Sequence, residues 1–336
     1  MALVSIVVPV YHNATSLPDL LARFQALAGE HPQDRFEFVF VDDGSKDNSF
    51  AVLHELALRE PRMRAVKLSR NFGSNAAILA GLQAARGDVV AAISADLQDP
   101  PELIGEMLAR WRAGRKVVLA ARESREDSWL TTMAADAFYS LFRRLALPGM
   151  PRHGFDFFLI DRQVRDVVVE MPEKNLYLMG LLVWLGFDAE VLHYHRRSRE
   201  KRYGRSMWTL AKKARYFIDA FVAFSYVPLR AASLLGFLAC LGSAAYAAFI
   251  VLSRLLWSRD VPGWGSLMVV VLMTSGLQLL MTGVLGEYVW RNLDEARRRP
   301  RYVVDRVETT GVADAAEHRG GHSVHDEPAF PAERAA

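Results

Sequence analysis

Two stretches of this 336-residue chain carry no charged residue, positions 231–253 and 264–286, 23 positions each. Each matches the ~20 apolar residues that cross a bilayer as a helix. A buried helix of a soluble core is the alternative for either stretch alone. Two in succession, joined only by residues 254–263, argue against it. The pair is expected to form a transmembrane hairpin. Trp257, Trp264, Tyr288 and Trp290 stand near its ends, as interface anchors do. Lys212, Lys213, Arg215 and Arg230 precede the first span, and Arg291, Arg297, Arg298, Arg299 and Arg301 follow the second. The joining loop has only Arg254 and Arg259, so the bias puts both termini and the preceding domain in the cytoplasm. Residues 211–228 mix Lys and Arg with Tyr216, Phe217, Phe221, Phe224 and Tyr226, and read as an interfacial amphipathic segment.

A lipid-facing part accounts for a chain that is 51% hydrophobic and 24% charged. The single cysteine, Cys240, excludes an internal disulfide. A net charge of +3 is slight, and no nucleic-acid partner is expected. Met1-Ala2-Leu3 runs straight into a strand pattern with no basic leader, consistent with a cytoplasmic N-terminal domain. The tail from Arg291 is basic, then from Glu308 polar and aperiodic, and is expected to be disordered, with His318, His322 and His325 in a solvated tail.

Residues 1–210 read differently. Short, mainly apolar runs (3–10, 36–41, 65–68, 89–93, 116–121) alternate with helical spacing at 17–27, 49–59, 75–85 and beyond Glu102. Ser16 is a candidate N-cap for the first helix. Residues 129–147 and 175–185 look helical, and 155–162 reads as a strand entering a helix. The alternation predicts an α/β fold with a mainly parallel sheet covered on both faces. Three polar loops follow strands: Pro9 to Asn13, Asp42 to Asp47, and Ser94 to Asp99. A parallel sheet gathers such loops at one edge, where nucleotides bind. Asp96, Gln98 and Asp99 offer two carboxylates and an amide oxygen, a plausible hard-cation site against a diphosphate. The alternative is a plain turn with Asp99 capping the next helix. No P-loop, Rossmann glycine fingerprint or Gly-x-Ser-x-Gly elbow is present, which disfavours P-loop NTPases, nicotinamide dehydrogenases and serine hydrolases.

Val7-Val8-Pro9-Val10-Tyr11, Val41-Asp42-Asp43-Gly44-Ser45-Lys46-Asp47, Arg70-Asn71-Phe72-Gly73 and Asp96-Leu97-Gln98-Asp99-Pro100-Pro101-Glu102 resemble the motifs of glycosyltransferase family 2. With two spans behind that domain, the chain is similar to the polyprenyl-phosphate glycosyltransferases, relatives of dolichol-phosphate mannose synthase. The resemblance covers about residues 3–300. It implies a GT-A type Rossmann-like sheet with a C-terminal two-helix hairpin. It also implies a nucleotide-sugar donor, Mg²⁺ or Mn²⁺, and inverting transfer of one sugar to an undecaprenyl-type phosphate at the cytoplasmic face of the membrane. By position, Pro9, Tyr11, Asp42, Asp43 and Ser94 would hold the nucleotide sugar, with Arg122 on its phosphates. Asp96 and Gln98 would hold the metal, and Asp96 and Asp156 are the implied catalytic residues. Arg199, Lys201 and Arg202 would meet the lipid phosphate or diphosphate. Three positions depart from the family pattern: Ser94 stands where an aspartate is common, Asn13 where an acid is, and Phe158 where an arginine is.

A phosphate monoester, with a second pKa near ~6, is mostly dianionic at neutral pH and needs little help from a base. Such an enzyme must screen two anionic reactants and align them. A non-catalytic membrane scaffold retaining the fold is the alternative, motivated by Ser94, and a polymer-forming enzyme of the same fold is a second. Self-association of the hairpins is compatible with the pattern.

Overall fold

The computed structural model describes residues 1–122, 139–152, 154–171, 173, 177–195, 224–257 and 263–309. The apolar runs form strands β1 (Leu3–Val10), β2 (Arg35–Asp42), β3 (Met63–Leu68), β4 (Val89–Ala92) and β5 (Val117–Arg122). Between them run α1 (Leu17–Glu30), α2 (Ser49–Arg59), α3 (Ser74–Ala84) and α4 (Leu103–Arg112). Strand β6 (Phe155–Asp161), helices α5 (Arg162–Glu170) and α6 (Leu178–Trp184), and strand β7 (Ala189–Tyr194) complete the domain before the hairpin.

Side chains alternate across the strands and so divide the core in two. Ile6, Val8 and Val10 of β1 face Leu17, Leu20 and Phe24 of α1, where Phe24 stacks on Phe38 at 5.6 Å. Val7, Val39 and Val41 face α3, whose residues Ala77 to Leu82 are all buried. Gly81 allows that contact, since a Cβ there would collide with the Val7 side chain.

The eight-stranded sheet has the order β7-β5-β6-β4-β1-β2-β3-β8. Strands β4-β1-β2-β3 run parallel, and β5 is parallel to β7. The sheet is more mixed than the alternation predicts, because β6 is antiparallel to both β4 and β5. Chain order reverses at β1, which has β4 on one side and β2 on the other. The crevice beyond the carboxyl ends of β1 and β4 is therefore the topological switch point of the sheet.

Helices α7 (Val227–Trp257) and α8 (Trp264–Ala296) extend past the charge-free stretches. At 1.5 Å per residue they reach about 46 and 50 Å, against a hydrocarbon core of about 30 Å. Residues Val227–Leu252 and Leu267–Ala296 are candidate membrane spans, with none of the most apolar window buried in the structure. Leu272 is 65% exposed and Leu279 73%, an arrangement unfavourable in water and suited to lipid.

The sequence reading places a basic, then disordered tail after Arg291, and the structure differs. Residues up to Ala296 continue α8, and Val304–Thr309 form β8, antiparallel to β3. Arg301 leads into that strand, donating to the carbonyls of Met171 at 2.6 Å and Val169 at 2.9 Å. It thereby supplies a cation to the C-terminal end of α5. The Ser69 amide donates to the carbonyl of Val303 at 2.9 Å. At the other end of the hairpin, Tyr288 of α8 donates its hydroxyl to the Ser225 carbonyl at 2.9 Å. The Ser225 hydroxyl in turn donates to the Leu145 carbonyl at 3.0 Å, so the hairpin is tied to the preceding domain before α7 and joins its sheet after α8. Tail residues from 310 onward and most of the expected interfacial segment lie outside the described residues.

Candidate active site

Strand β1 pairs with β4 only as far as Val7 opposite Ala92, and Ile93 then donates to the Val7 carbonyl at 3.0 Å. Beyond that point the two strands part. Pro9, which has no N–H to give to a ladder, stands in this opening. The loop after β1 is tied to both neighbours. Ser16 donates its hydroxyl to the Ala95 carbonyl at 2.7 Å. The His12 amide donates to Ser45 Oγ at 3.1 Å and the Asn13 amide to Ser49 Oγ at 3.0 Å. Ser16 does precede α1 as expected, but its hydroxyl makes no capping bond and serves the loops instead. Tyr11 lies edge-on to His12, with ring centroids 4.4 Å apart.

At the end of β2 the two aspartates divide their tasks. Asp43 accepts the Phe72 amide at 2.7 Å and the Gly73 amide at 2.9 Å, so it organises the Arg70–Gly73 loop. Burial pushes its carboxyl up to about 6, with those two N–H groups opposing the rise. Gly44, at φ 65°, sits against the backbone of Arg70 and leaves no room for a Cβ. Asp42 is fully buried, and burial raises its carboxyl above the usual range. Its Oδ2 accepts the Ser45 amide at 3.2 Å, while its Oδ1 is buried with no hydrogen-bond partner among the described residues. Such an atom is costly to leave unsatisfied and suits a donor N–H or O–H from a ligand.

The turn after β4 holds the third group. Leu97 adopts a left-handed backbone, φ 59°, a conformation uncommon for a leucine. It is held there because Asp96 Oδ1 accepts the Gln98 amide at 3.2 Å and the Leu97 side chain packs on the core. Asp99 does not cap α4, which starts at Leu103 with Glu102 at its N-cap. Asp99 is 1% exposed and accepts the Tyr194 hydroxyl at 2.5 Å on Oδ1. Its Oδ2 lies 2.7 Å from Ser94 Oγ, and the same hydroxyl lies 2.8 Å from Asp96 Oδ1.

Arg122 ends β5 and forms an ion pair with Asp156 of β6. A register shift between Ala120 and Ala121 places Asp156 opposite that irregularity and exposed, as bulges re-aim side chains. Burial alone would lower Arg122, but the carboxylates of Asp156 and Asp99 outweigh it and raise the guanidinium pKa. Burial, then Asp99, pushes Tyr194 up, so its hydroxyl keeps its proton and donates.

The structure therefore brings Ser94, Asp96, Arg122 and Asp156 together, adds Tyr194, which the sequence reading leaves out of the site, and turns Asp99, read from the sequence as a possible cation ligand, toward Tyr194 and Ser94. Tyr194 ends a strand, Ala189–Tyr194, whose alternation is masked in the sequence by the basic run that follows. Arg199, Lys201 and Arg202 lie outside the described residues. Among the described residues, no group of three or more His, Cys, Asp or Glu could enclose a metal. The donor set of Asp96, Gln98 and the nearby hydroxyl of Ser94 fits a different kind of ion. Mg²⁺ and its like keep several waters and take one or two carboxylates plus substrate phosphates. The site fits such an ion, shared with a diphosphate, and not a protein-only cage.

Residues 5–168 match the profile of glycosyl transferase family 2. A Bacillus subtilis (strain 168) protein named uncharacterized glycosyltransferase YkcC is 36% identical over 319 residues, 95% of this chain and 97% of that one. A Shigella phage SfV protein named bactoprenol glucosyl transferase is 34% identical over 306 residues, 90% of this chain and 97% of that one. Among solved structures, Mycobacterium tuberculosis glucosyl-3-phosphoglycerate synthase with Mn²⁺, uridine diphosphate and phosphoglyceric acid aligns at TM-score 0.47 and 18% identity, over 66% of this chain and 78% of that one. With near full-length relatives above 30% identity and the strand-end acids in place, the chain is a glycosyltransferase and belongs to glycosyltransferase family 2.

Proposed function

We propose that this glycosyltransferase moves one sugar from a nucleotide-sugar donor to a polyprenyl phosphate at the cytoplasmic membrane face, with inversion and a divalent ion. The sugar favoured by the names of its relatives is glucose. The observation that carries the reading is the junction of two features in one chain. A polar crevice at the β1–β4 switch point stands on the same sheet that receives the far end of an apolar two-helix hairpin. That return supports a hairpin with both ends on the catalytic side, and the charge bias around the spans supports the cytoplasm as that side.

The division of labour follows from the geometry. Asp42 Oδ1 would accept an N–H or O–H of the nucleoside, and Asp43 keeps the Arg70–Gly73 loop in place around it. Pro9 and Tyr11 line the opening. Asp96 and Gln98 would hold the ion, which supplies Lewis-acid stabilisation of the diphosphate leaving group. Arg122 adds a permanent charge for donor phosphate, and Asp156 orients it. The acceptor's phosphate oxygen forms the new bond to the anomeric carbon from the face opposite the leaving group. The bonding pair departs with the nucleoside diphosphate, and no proton has to be removed from a dianionic acceptor. Arg199, Lys201 and Arg202 would receive that phosphate.

The test is purified protein with undecaprenyl phosphate, Mg²⁺ or Mn²⁺, and a panel of UDP- and GDP-sugars. The reading predicts an organic-extractable product bearing a single sugar of inverted anomeric configuration. A product of many sugars, or retention, would overturn it.

A further inference from the structure

Position 94 carries a hydroxyl and not a carboxylate, yet the structure holds a second carboxylate within reach of the same place. Ser94 Oγ lies 2.8 Å from Asp96 Oδ1 and 2.7 Å from Asp99 Oδ2. Asp99 is 1% exposed and is fixed from β7 by the Tyr194 hydroxyl at 2.5 Å. Tyr194 is itself buried and packs edge-on against Phe157, with ring centroids 6.4 Å apart. The Ser94 hydroxyl, with a single proton to donate, stands between the two carboxylates, so Tyr194, Asp99, Ser94 and Asp96 form one row of contacts from β7 to the turn after β4. A tyrosine in a packed strand is a rigid anchor. A turn with a leucine at positive φ is a strained element that needs one.

We propose that Tyr194 and Asp99 are positioning residues for the donor-side metal, acting on Asp96 through the Ser94 hydroxyl. Buried partners of this kind fix the orientation and basicity of a ligand, and losing one costs about 10–100-fold in metal affinity. The inference rests on the proposal that Asp96 holds the ion, and the experiment separates the two.

Mn²⁺ binding is measured by electron paramagnetic resonance on the full-length protein in detergent, with UDP and then GDP present. The variants are Tyr194→Phe, Asp99→Asn, Ser94→Asp, the double variant Ser94→Asp with Tyr194→Phe, and Asp96→Ala. Thermal unfolding of each variant checks the fold. Tyr194→Phe is expected to weaken Mn²⁺ about tenfold or more and to raise the Mn²⁺ concentration for half-maximal turnover in step. The rate at saturating Mn²⁺ should change much less. Ser94→Asp supplies a direct carboxylate, so in that background Tyr194→Phe should have little further effect on Mn²⁺ affinity. If Asp96→Ala abolishes Mn²⁺ binding but Tyr194→Phe leaves it unchanged, the positioning role is wrong and the metal assignment stands. If Asp96→Ala leaves Mn²⁺ binding intact, the metal assignment fails and takes the inference with it. A variant Tyr194→Phe that loses turnover equally at all Mn²⁺ concentrations would also overturn the inference.

Discussion

Ser16, fully buried at the start of α1, donates its hydroxyl to the Ala95 carbonyl at 2.7 Å. One side chain thus joins the loop after β1 to the turn that carries Asp96. The two walls of the switch-point crevice are linked by it.

Ser16→Ala removes that donor and leaves a buried carbonyl without it. The expected cost is about 1–3 kcal/mol of stability. Because the two walls loosen against each other, the donor KM should rise more than kcat falls. Thermal unfolding and donor titration of the variant measure both effects, and an unchanged donor KM would count against the link.

Burial of Asp43 predicts a pH dependence of stability with a definite sign. Its carboxyl is raised from 3.8 to about 6 in the fold. The folded state therefore holds this proton to higher pH than the unfolded chain does. Stability from the group is complete below pH 3.8 and is lost as pH rises through about 6. The stability of the native chain relative to Asp43→Asn should fall between pH 4 and pH 7, read as the difference in melting temperature. A flat difference would contradict the assignment. At every pH the variant should also loosen the Arg70–Gly73 loop, since an amide offers one acceptor where the carboxylate serves two N–H groups.

Asp42→Asn separates stability from binding. The native carboxylate is buried with one oxygen unsatisfied, an arrangement that costs the ligand-free fold. A neutral amide relieves the buried charge, so the variant should melt at a higher temperature than the native chain. It should bind nucleotide more weakly, since a charge-assisted acceptor is lost. Differential scanning calorimetry and nucleotide titration check the two directions.

Removing residues 301–336 deletes β8 and Arg301. The β3 edge, paired at Arg64 to Leu68, would be uncovered, and exposed edges invite association. The α5 terminus would lose its cation. The truncated chain should unfold at lower temperature and aggregate more readily in detergent, as size-exclusion chromatography would report. Equal behaviour of both chains would show that β8 contributes little.

Much of the domain was legible because its signals are local. The runs 3–10 and 89–93 are almost wholly apolar and rich in Val and Ile, with Ser5 the one polar residue, as strands buried on both faces are, and the structure has them adjacent and parallel at the core. Asp42 and Asp96 could be placed at strand ends from sequence alone. What escaped was non-local. Val304, Val307 and Thr309 are β-branched, but they do not alternate strictly and are flanked by charge, so the strand is settled by its partner β3, which lies more than 230 residues earlier and supplies the pairing. Tyr194 was hidden for the same reason, since its role comes from Asp99, 95 positions away. The antiparallel insertion of β6 was equally invisible, because a strand's direction is set by the route of the chain and not by its composition. The alternative reading of Asp99 as a helix cap does not hold, for a physical reason: its carboxylate is engaged by Tyr194 and Ser94, and Pro100-Pro101 postpone α4 to Leu103.

The central claim is that the crevice at the β1–β4 edge transfers a sugar to a lipid phosphate. Its most direct measurement is the transfer of labelled sugar from nucleotide sugar to undecaprenyl phosphate by the purified full-length chain, side by side with Asp96→Ala. The account predicts a lipid-linked monosaccharide from at least one donor, dependent on Mg²⁺ or Mn²⁺, and its loss in Asp96→Ala. No lipid-linked sugar from any donor, or equal product from Asp96→Ala, would contradict it.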